Sequence, residues 1–302
     1  MSEAVVEPGA NPSPESKRPG IPGFDAQAII KSPGFIPGLA IFGALCLAFF
    51  SLFSRLPHLW FEGDGYYSHG ALIPFMSGYV VYKNWDKIKD VPAKGSWFGI
   101  PVLLVTGWVL FAGVRIEQIQ IQSFALVITL LGGTLLIGGW RWLRILALPM
   151  FLLLFALPIW SNIIDTYTNP LQQISTDVSY GLLKAFQFDP LKVDATTIHL
   201  PAFTLDVGVP CSGLKLLIAV SAFTTFFIMI GGLKWWGNMI MLIAIMPLCL
   251  FINGLRIALI GVVGNQYGAE AGHQFHDYSG YITLLICFFL LFKLMRLLGW
   301  ED

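Results

Sequence analysis

The sequence predicts an all-α polytopic membrane protein of about eight transmembrane helices, with a small extracytoplasmic cap of helix and strand between spans five and six. Three observations carry this prediction. Hydrophobic residues make up 56% of the 302 positions and charged residues only 12%, against roughly 25% charged in soluble domains. Apolar runs near the ~20 residues needed to cross a bilayer recur along the chain. Lys and Arg gather in alternate connecting segments, as the positive-inside rule requires. The formal net charge is zero, so there is no basic excess of the kind that binds nucleic acid. Cys46, Cys211, Cys249 and Cys287 lack the paired spacings of a zinc site or a disulfide framework, so neither a metal nor another cofactor is expected.

Residues 1–34 begin "MSEAVVEPGANPSPESKRPGIPG", rich in Pro, Gly, Ser and Glu without an apolar core. This reads as a disordered cytoplasmic tail, not as a signal peptide, which needs a basic start and an apolar stretch. Spans are then expected at Ile36 to Ser54, Gly70 to Tyr82, Trp97 to Gly113, Ile119 to Gly139, Trp142 to Trp160, Ser212 to Gly232, Trp235 to Val263 and Ser279 to Leu298. Trp60, Trp97, Trp140, Trp160, Trp235, Trp236 and Trp300 stand near their ends, where interfacial aromatics belong. With the N-terminus inside, the inner segments carry Lys17, Arg18, Lys31, Lys83, Lys87, Lys89, Lys94, Arg141, Arg144, Lys234, Lys293 and Arg296. The outer ones carry only Arg55, Arg115, Lys184 and Lys192. That asymmetry predicts both termini in the cytoplasm and the loop Ser161 to Pro210 outside.

Within that loop, "SNIIDTYTNPLQQISTDVSYGLLKAF" spaces apolar residues as a helix would and predicts helical segments lying on the membrane surface. The following "LKVDATTIHLPAFTLDVG" alternates apolar and polar residues and predicts two or three short strands. This cap leads directly into "VPCSGLK", Val209 to Lys215.

Cys211 stands at the start of the sixth span, where free backbone N–H groups and the helix dipole favour a thiolate. Lys215, one turn on, adds positive charge. The plainer alternative, a small apolar packing residue, suits Cys46, Cys249 and Cys287, which lie inside spans. Arg256 in "FINGLRIALIG" sits seven residues inside the outer boundary, roughly 10 Å deep. An intramembrane Arg is a functional candidate by default, and the alternative is snorkelling to headgroups. Asn253, one turn earlier, shares its face and is positioned to hold it by a hydrogen bond, while Pro247 kinks the same helix. In "GHQFHDYSGY", His276 and its competitor His273 precede the eighth span, and histidine exchanges protons near neutral pH. Asp277 either orients the ring or caps the helix expected to begin near Ser279. Cys211, Arg256 and His276 thus lie on one outer face, at the ends of three consecutive spans. Together they supply a nucleophile, an oxyanion donor and an acid/base.

"VPCSGLK", "NGLRIALIG" and "HDYSGY", in this order on three helices, resemble the signature of the exosortase/archaeosortase family of multi-pass membrane transpeptidases. "DGYYSHGALIP", Asp64 to Pro74, resembles that family's N-terminal motif. The resemblance runs from about residue 35 to the end. It implies a Cys–Arg–His enzyme acting on exported proteins that end in a short motif such as Pro-Glu-Pro, a transmembrane helix and a basic tail. Cys211 then attacks the carbonyl at the motif, and the thioester passes to an unidentified acceptor nucleophile or to water. By the same resemblance Arg256 stabilises the oxyanion or orients substrate and His276 acts as general acid and base. Ser212, Gly213 and Lys215 flank the nucleophile, and Ser68, His69 and Gly70 either shape the substrate entrance or only start the second span. The setting is a bacterial cytoplasmic membrane, with membrane lipid around the spans and the site on the extracytoplasmic face. Other classes stay open. A transporter would place polar residues near the midplane and show related halves, and a non-catalytic assembly factor for exopolysaccharide or envelope export would not need Cys211. A serine hydrolase using Ser212 would lack the G-x-S-x-G elbow.

Overall fold

The computed structural model describes residues 35–62 and 65–300; the expected disordered tail and Asp64 of the N-terminal motif lie outside the described residues. The chain divides into two units, Met1–Ala48 and Phe49–Asp302. The first contributes helix α1 (Phe35–Ala48), which is apolar throughout.

The second unit begins with two short helices, α2 (Phe50–Phe53) and α3 (Leu56–Phe61). A 3-10 turn at Gly70–Leu72 runs into α4 (Ile73–Lys83), and α5 (Trp85–Lys89) follows. Then come α6 (Gly99–Arg115), α7 (Ile119–Leu152) and α8 (Ser161–Ala185). Three strands, β1 (Leu191–Lys192), β2 (Thr197–His199) and β3 (Thr204–Asp206), form an antiparallel sheet in that order. The chain closes with α9 (Leu214–Gly231), α10 (Trp235–Tyr267) and α11 (Ala269–Leu297).

Helices long and apolar enough to cross a membrane are Ile119–Ala156, Val209–Gly231, Trp235–Tyr267 and Ala269–Leu297. A fifth is counted if Ile36–Ala48 and Phe50–Phe61 make one span. The described residues therefore give four or five such helices where the sequence predicted about eight, and no numbering of spans that puts a cap between a fifth and a sixth. Hydropathy counts apolar residues and is blind to helix continuity, which is where the readings diverge. The second expected span is a 3-10 turn plus an 11-residue helix, and the third has 17 residues, shorter than the ~20 a straight crossing needs. The first is interrupted at Phe49.

Helix α7 is not straight. Gly139 breaks it with φ 73° and ψ −168°, and Thr134 Oγ1 lies 3.8 Å from Met150 Sδ. Sixteen residues of unbroken helix would separate those atoms by roughly 24 Å. The two arms of α7 therefore fold back on each other at Gly139, beside the boundary the sequence predicted between Gly139 and Trp142.

Two helices extend beyond their expected bounds. The region expected as surface-lying helical segments is one 25-residue helix, α8, whose buried stripe of Ile164, Thr168, Leu171, Ser175, Thr176, Ser179 and Leu183 packs along α10. Small hydroxyl residues on that stripe permit close helix contact. The stretch between the seventh and eighth expected spans is helical: α10 runs to Tyr267, Gly268 alone makes the turn, and α11 starts at Ala269, well before the expected Ser279.

Two apolar cores flank the start of α9. One joins the sheet to α8 and α10 through Leu183, Ile198, Leu205, Val207, Ile257 and Ala258, with Cys211 at its edge. The other lies between α9, α10 and α11, around Met241, Cys249, Cys287 and Leu291. Cys249 and Cys287 are side by side in that second core, in keeping with the packing role expected of them.

Candidate active site

Cys211 closes a 3-10 turn, Val209–Cys211, just outside the start of α9 rather than within its first turn. Backbone carbonyls on both sides of it are taken up by side chains from two other helices. Gln172 of α8 donates to the Val207 carbonyl. Ser175, also of α8, donates to the Ser212 carbonyl at 3.2 Å. Asn253 of α10 donates from Nδ2 to the Cys211 carbonyl at 2.8 Å and lies 3.0 Å from Ser175 Oγ. Asn253 and Ser175 are essentially solvent-free, so these bonds are not in competition with water. The thiol is thereby carried on a segment that cannot easily shift.

Gly213 completes the turn. Its φ of 83° is left-handed, and a Cβ there would come within 2.9 Å of Asn253 Nδ2. Both the backbone conformation and the approach of Asn253 require glycine.

The Cys211 Sγ lies 2.7 Å from His276 Nε2. His276 Nδ1 is 3.3 Å from the Asp277 carboxylate, so the ring has a sulfur partner on one nitrogen and an acidic neighbour on the other. Of the two candidate histidines, His276 meets the thiol, and His273 stays exposed on α11. Asp277 lies within α11 and caps nothing.

Arg256 points into the protein. Its Nε donates to Ser279 Oγ at 2.9 Å and its Nη2 to the His276 carbonyl at 3.1 Å; Ser279 Oγ in turn donates to that same carbonyl at 3.1 Å. Two of its five donors are so used, and the guanidinium is the cation beside Cys211. The expected bond from Asn253 to Arg256 is replaced. Asn253 reaches the Cys211 carbonyl instead, and residues of α11 hold the arginine. Residues three apart on one helix share a face, but they can serve different partners across it.

These residues border a cavity of about 570 Å³ lined by Trp60, Phe61, Glu62, Ser68, His69, Pro210, Gly213, Lys215, Leu216, Ala219, Asn253, Arg256, His276, Asp277, Gly280, Tyr281, Thr283 and Leu284. Polar side chains of the N-terminal motif, α10 and α11 share its lining with apolar residues of α9 and α11.

The N-terminal motif contributes the facing wall. Tyr67 is buried, and its hydroxyl accepts from the Trp160 backbone N–H at 3.2 Å. Burial holds its phenol up at about 12. Gly70 is required because a Cβ would run into the Trp60 indole, whose Nε1 donates to the Ala156 carbonyl at 2.7 Å. Ser68 and His69 line the cavity, as does Lys215. Lys215 is near enough to act on His69 electrostatically.

Sequence reasoning missed Gln172, Ser175, Ser279 and Trp60. Ser279 had a signal, three residues after His276 on the same helix face. The others come from elements far away in sequence, and nothing local marks them.

The family profile described as Transmembrane exosortase (Exosortase_EpsH) matches residues 60–293. That interval contains Cys211, Arg256, His276 and the cavity wall from Trp60 onward. No curated protein and no solved structure matches the chain. The match covers well over half of the sequence and the whole of the site: the chain belongs to the transmembrane exosortase family.

Proposed function

We propose that this protein is a membrane-embedded cysteine transpeptidase that cleaves C-terminal sorting signals of exported proteins through a Cys211 thioester. The observation that carries the proposal is the 2.7 Å approach of Cys211 Sγ to His276 Nε2, beside Arg256 and at the edge of a cavity large enough for a peptide segment.

The chemistry follows from the groups. His276 Nε2 takes the thiol proton, and the thiolate attacks the carbonyl carbon of the scissile amide. The tetrahedral oxyanion draws on the Arg256 guanidinium, whose charge does not titrate away. The C–N bond breaks as the imidazolium returns the proton to the leaving amine. This leaves a thioester on Cys211 and releases the transmembrane helix of the signal. An acceptor amine, or water, then attacks the thioester, His276 takes its proton, and the thiol is regenerated. Substrates in this reading carry a Pro-Glu-Pro-like motif, an apolar helix and a basic tail. Such a helix reaches the cavity by lateral diffusion, so proximity supplies part of the rate.

In this reading the protein lies in a bacterial cytoplasmic membrane with both termini inside and the cap, 161–210, outside. The Lys/Arg asymmetry favours that orientation. The reversal at Gly139 favours counting the arms of α7 separately, toward the eight crossings predicted from sequence.

The test is processing of a membrane-anchored reporter ending in a Pro-Glu-Pro motif, an apolar helix and a basic tail, by the parent protein and by Cys211→Ala. Processing at the motif by the parent and none by the variant is expected, with the intact mass of the product identifying the acceptor. Equal processing by the two would remove Cys211 from the chemistry and bring forward the transporter or assembly-factor reading.

A further inference from the structure

His69 is 8% exposed, and neither of its ring nitrogens has a hydrogen-bond partner among the described residues. A buried polar side chain in that state costs free energy for each unpaired group. Such a residue is worth keeping where a ligand completes it. Burial, with Lys215 nearby, pushes the imidazole down to about 4, against the pull of the Phe155 backbone, which leans toward the ring without closing a hydrogen bond. The ring is therefore neutral at physiological pH and offers one N–H donor and one nitrogen acceptor.

Its position puts those two groups beside the cavity. His69 lines the same cavity as Arg256, His276 and Asn253, but on the wall built from Trp60, Phe61 and Glu62. His276, whose Nε2 meets Cys211 Sγ, lines the cavity as His69 does, so a chain lying in it borders both histidines. One donor and one acceptor, without charge, complement a peptide unit, whose N–H and C=O are equally costly to bury unpaired. A carboxylate would instead be drawn to the cations Arg256 and Lys215, which also line the cavity.

We infer that His69 is a substrate-binding residue that hydrogen-bonds the peptide backbone next to the scissile bond and so sets how deeply an extended chain lies against Cys211. The inference rests on the transpeptidase reading and assigns a role to the one motif that the Cys–Arg–His chemistry leaves unused. It also accounts for Gly70, which lets the Trp60 indole close the same wall.

The experiment separates binding from turnover. The full-length protein is reconstituted with the reporter, and affinity is read on a Cys211→Ala background, where no cleavage occurs, for His69, His69→Leu and His69→Gln. His69→Leu is expected to weaken binding about 10- to 100-fold, matching the loss of one buried hydrogen-bonded pair, and to raise KM more than it lowers kcat when Cys211 is present. His69→Gln, which keeps a donor and an acceptor, is expected to restore binding to within a few-fold. A second measurement needs no mutation. Reporters with a single ester in place of each backbone amide around the motif should show one sensitive position with His69 and with His69→Gln, and none with His69→Leu of matched thermal stability. Binding by His69→Leu as tight as by the parent, or an ester series flat at every position, would overturn the inference. Failure of the transpeptidase reading looks different: parent and Cys211→Ala process the reporter alike, whatever His69 does to affinity.

Discussion

Arg256 Nη2 donates to the backbone carbonyl of His276 at 3.1 Å, so the cation beside the thiol and the imidazole that contacts the thiol are tied to each other. Ser279 closes the arrangement by accepting from Arg256 Nε and donating to the same carbonyl. A carbonyl within α11 thereby becomes the reference point for both. Movement of the arginine transmits to the imidazole that approaches Cys211.

Substitution of Arg256 should cost rate more than binding. Arg256→Gln is expected to lower the single-turnover rate of reporter cleavage about 10²- to 10³-fold, the usual loss for an oxyanion donor. Arg256→Lys keeps charge without the planar fork and should remain well below the parent. Rates within threefold of the parent for the lysine variant would show that charge alone suffices. Ser279→Ala, which removes a single partner of Nε, should fall between.

Asn253 is predicted to be a stability residue and a placement residue together. Asn253→Ala removes the donor to the Cys211 carbonyl and leaves that buried acceptor and Ser175 short of a partner, for about 1–3 kcal/mol. Thermal unfolding in detergent should shift down accordingly, and alkylation of Cys211 should change rate. An unchanged melting curve would contradict the clamp.

Gly213→Ala tests the turn that carries Cys211. The left-handed φ and the 2.9 Å approach to Asn253 predict a destabilised protein with little cleavage activity, strain of about 1–3 kcal/mol being typical of such positions. Gly208→Ala is the matched control. Its φ is −68°, and an added Cβ would meet only Pro210 Cδ at 3.5 Å, so near-parental behaviour is expected.

Stability should depend on pH through His69. Its folded value, about 4, lies below the ordinary 6.5 of an unfolded histidine, so between those values the unfolded chain binds the extra proton. The stabilisation is fully present above about pH 6.5 and is lost as pH falls toward 4. Melting temperatures of the parent should therefore drop across that window, and those of His69→Gln should drop less. Parallel curves would exclude His69 as the titrating group.

Several features are legible in the sequence. Low charge and long apolar runs specify a helical multi-pass protein, because a lipid-facing backbone must satisfy its own hydrogen bonds. The thiol at a helix start, the arginine inside an apolar helix and the histidine on the next helix all stand out, because each is expensive where it lies. The strands after residue 190 announce themselves by alternation, and the sheet pairs Ile198 with Leu205 as inward-facing neighbours.

Tertiary structure decided the rest. Hydropathy cannot distinguish a continuous crossing from a broken one, so the fold-back at Gly139 and the extension of α11 back to Ala269 emerge only from packing. Periodicity assigns a residue to a helix face but not to its partner. Asn253 was therefore expected to hold Arg256 and instead holds the Cys211 carbonyl, while Ser175 and Gln172, 36 and 39 residues before Cys211, complete the clamp. The resemblance to the family already picks His276 over His273, and what the fold adds is the 2.7 Å approach of its Nε2 to Cys211 Sγ. Composition and pattern are local sums along the chain, whereas the site is assembled from helices that meet only when the chain has folded.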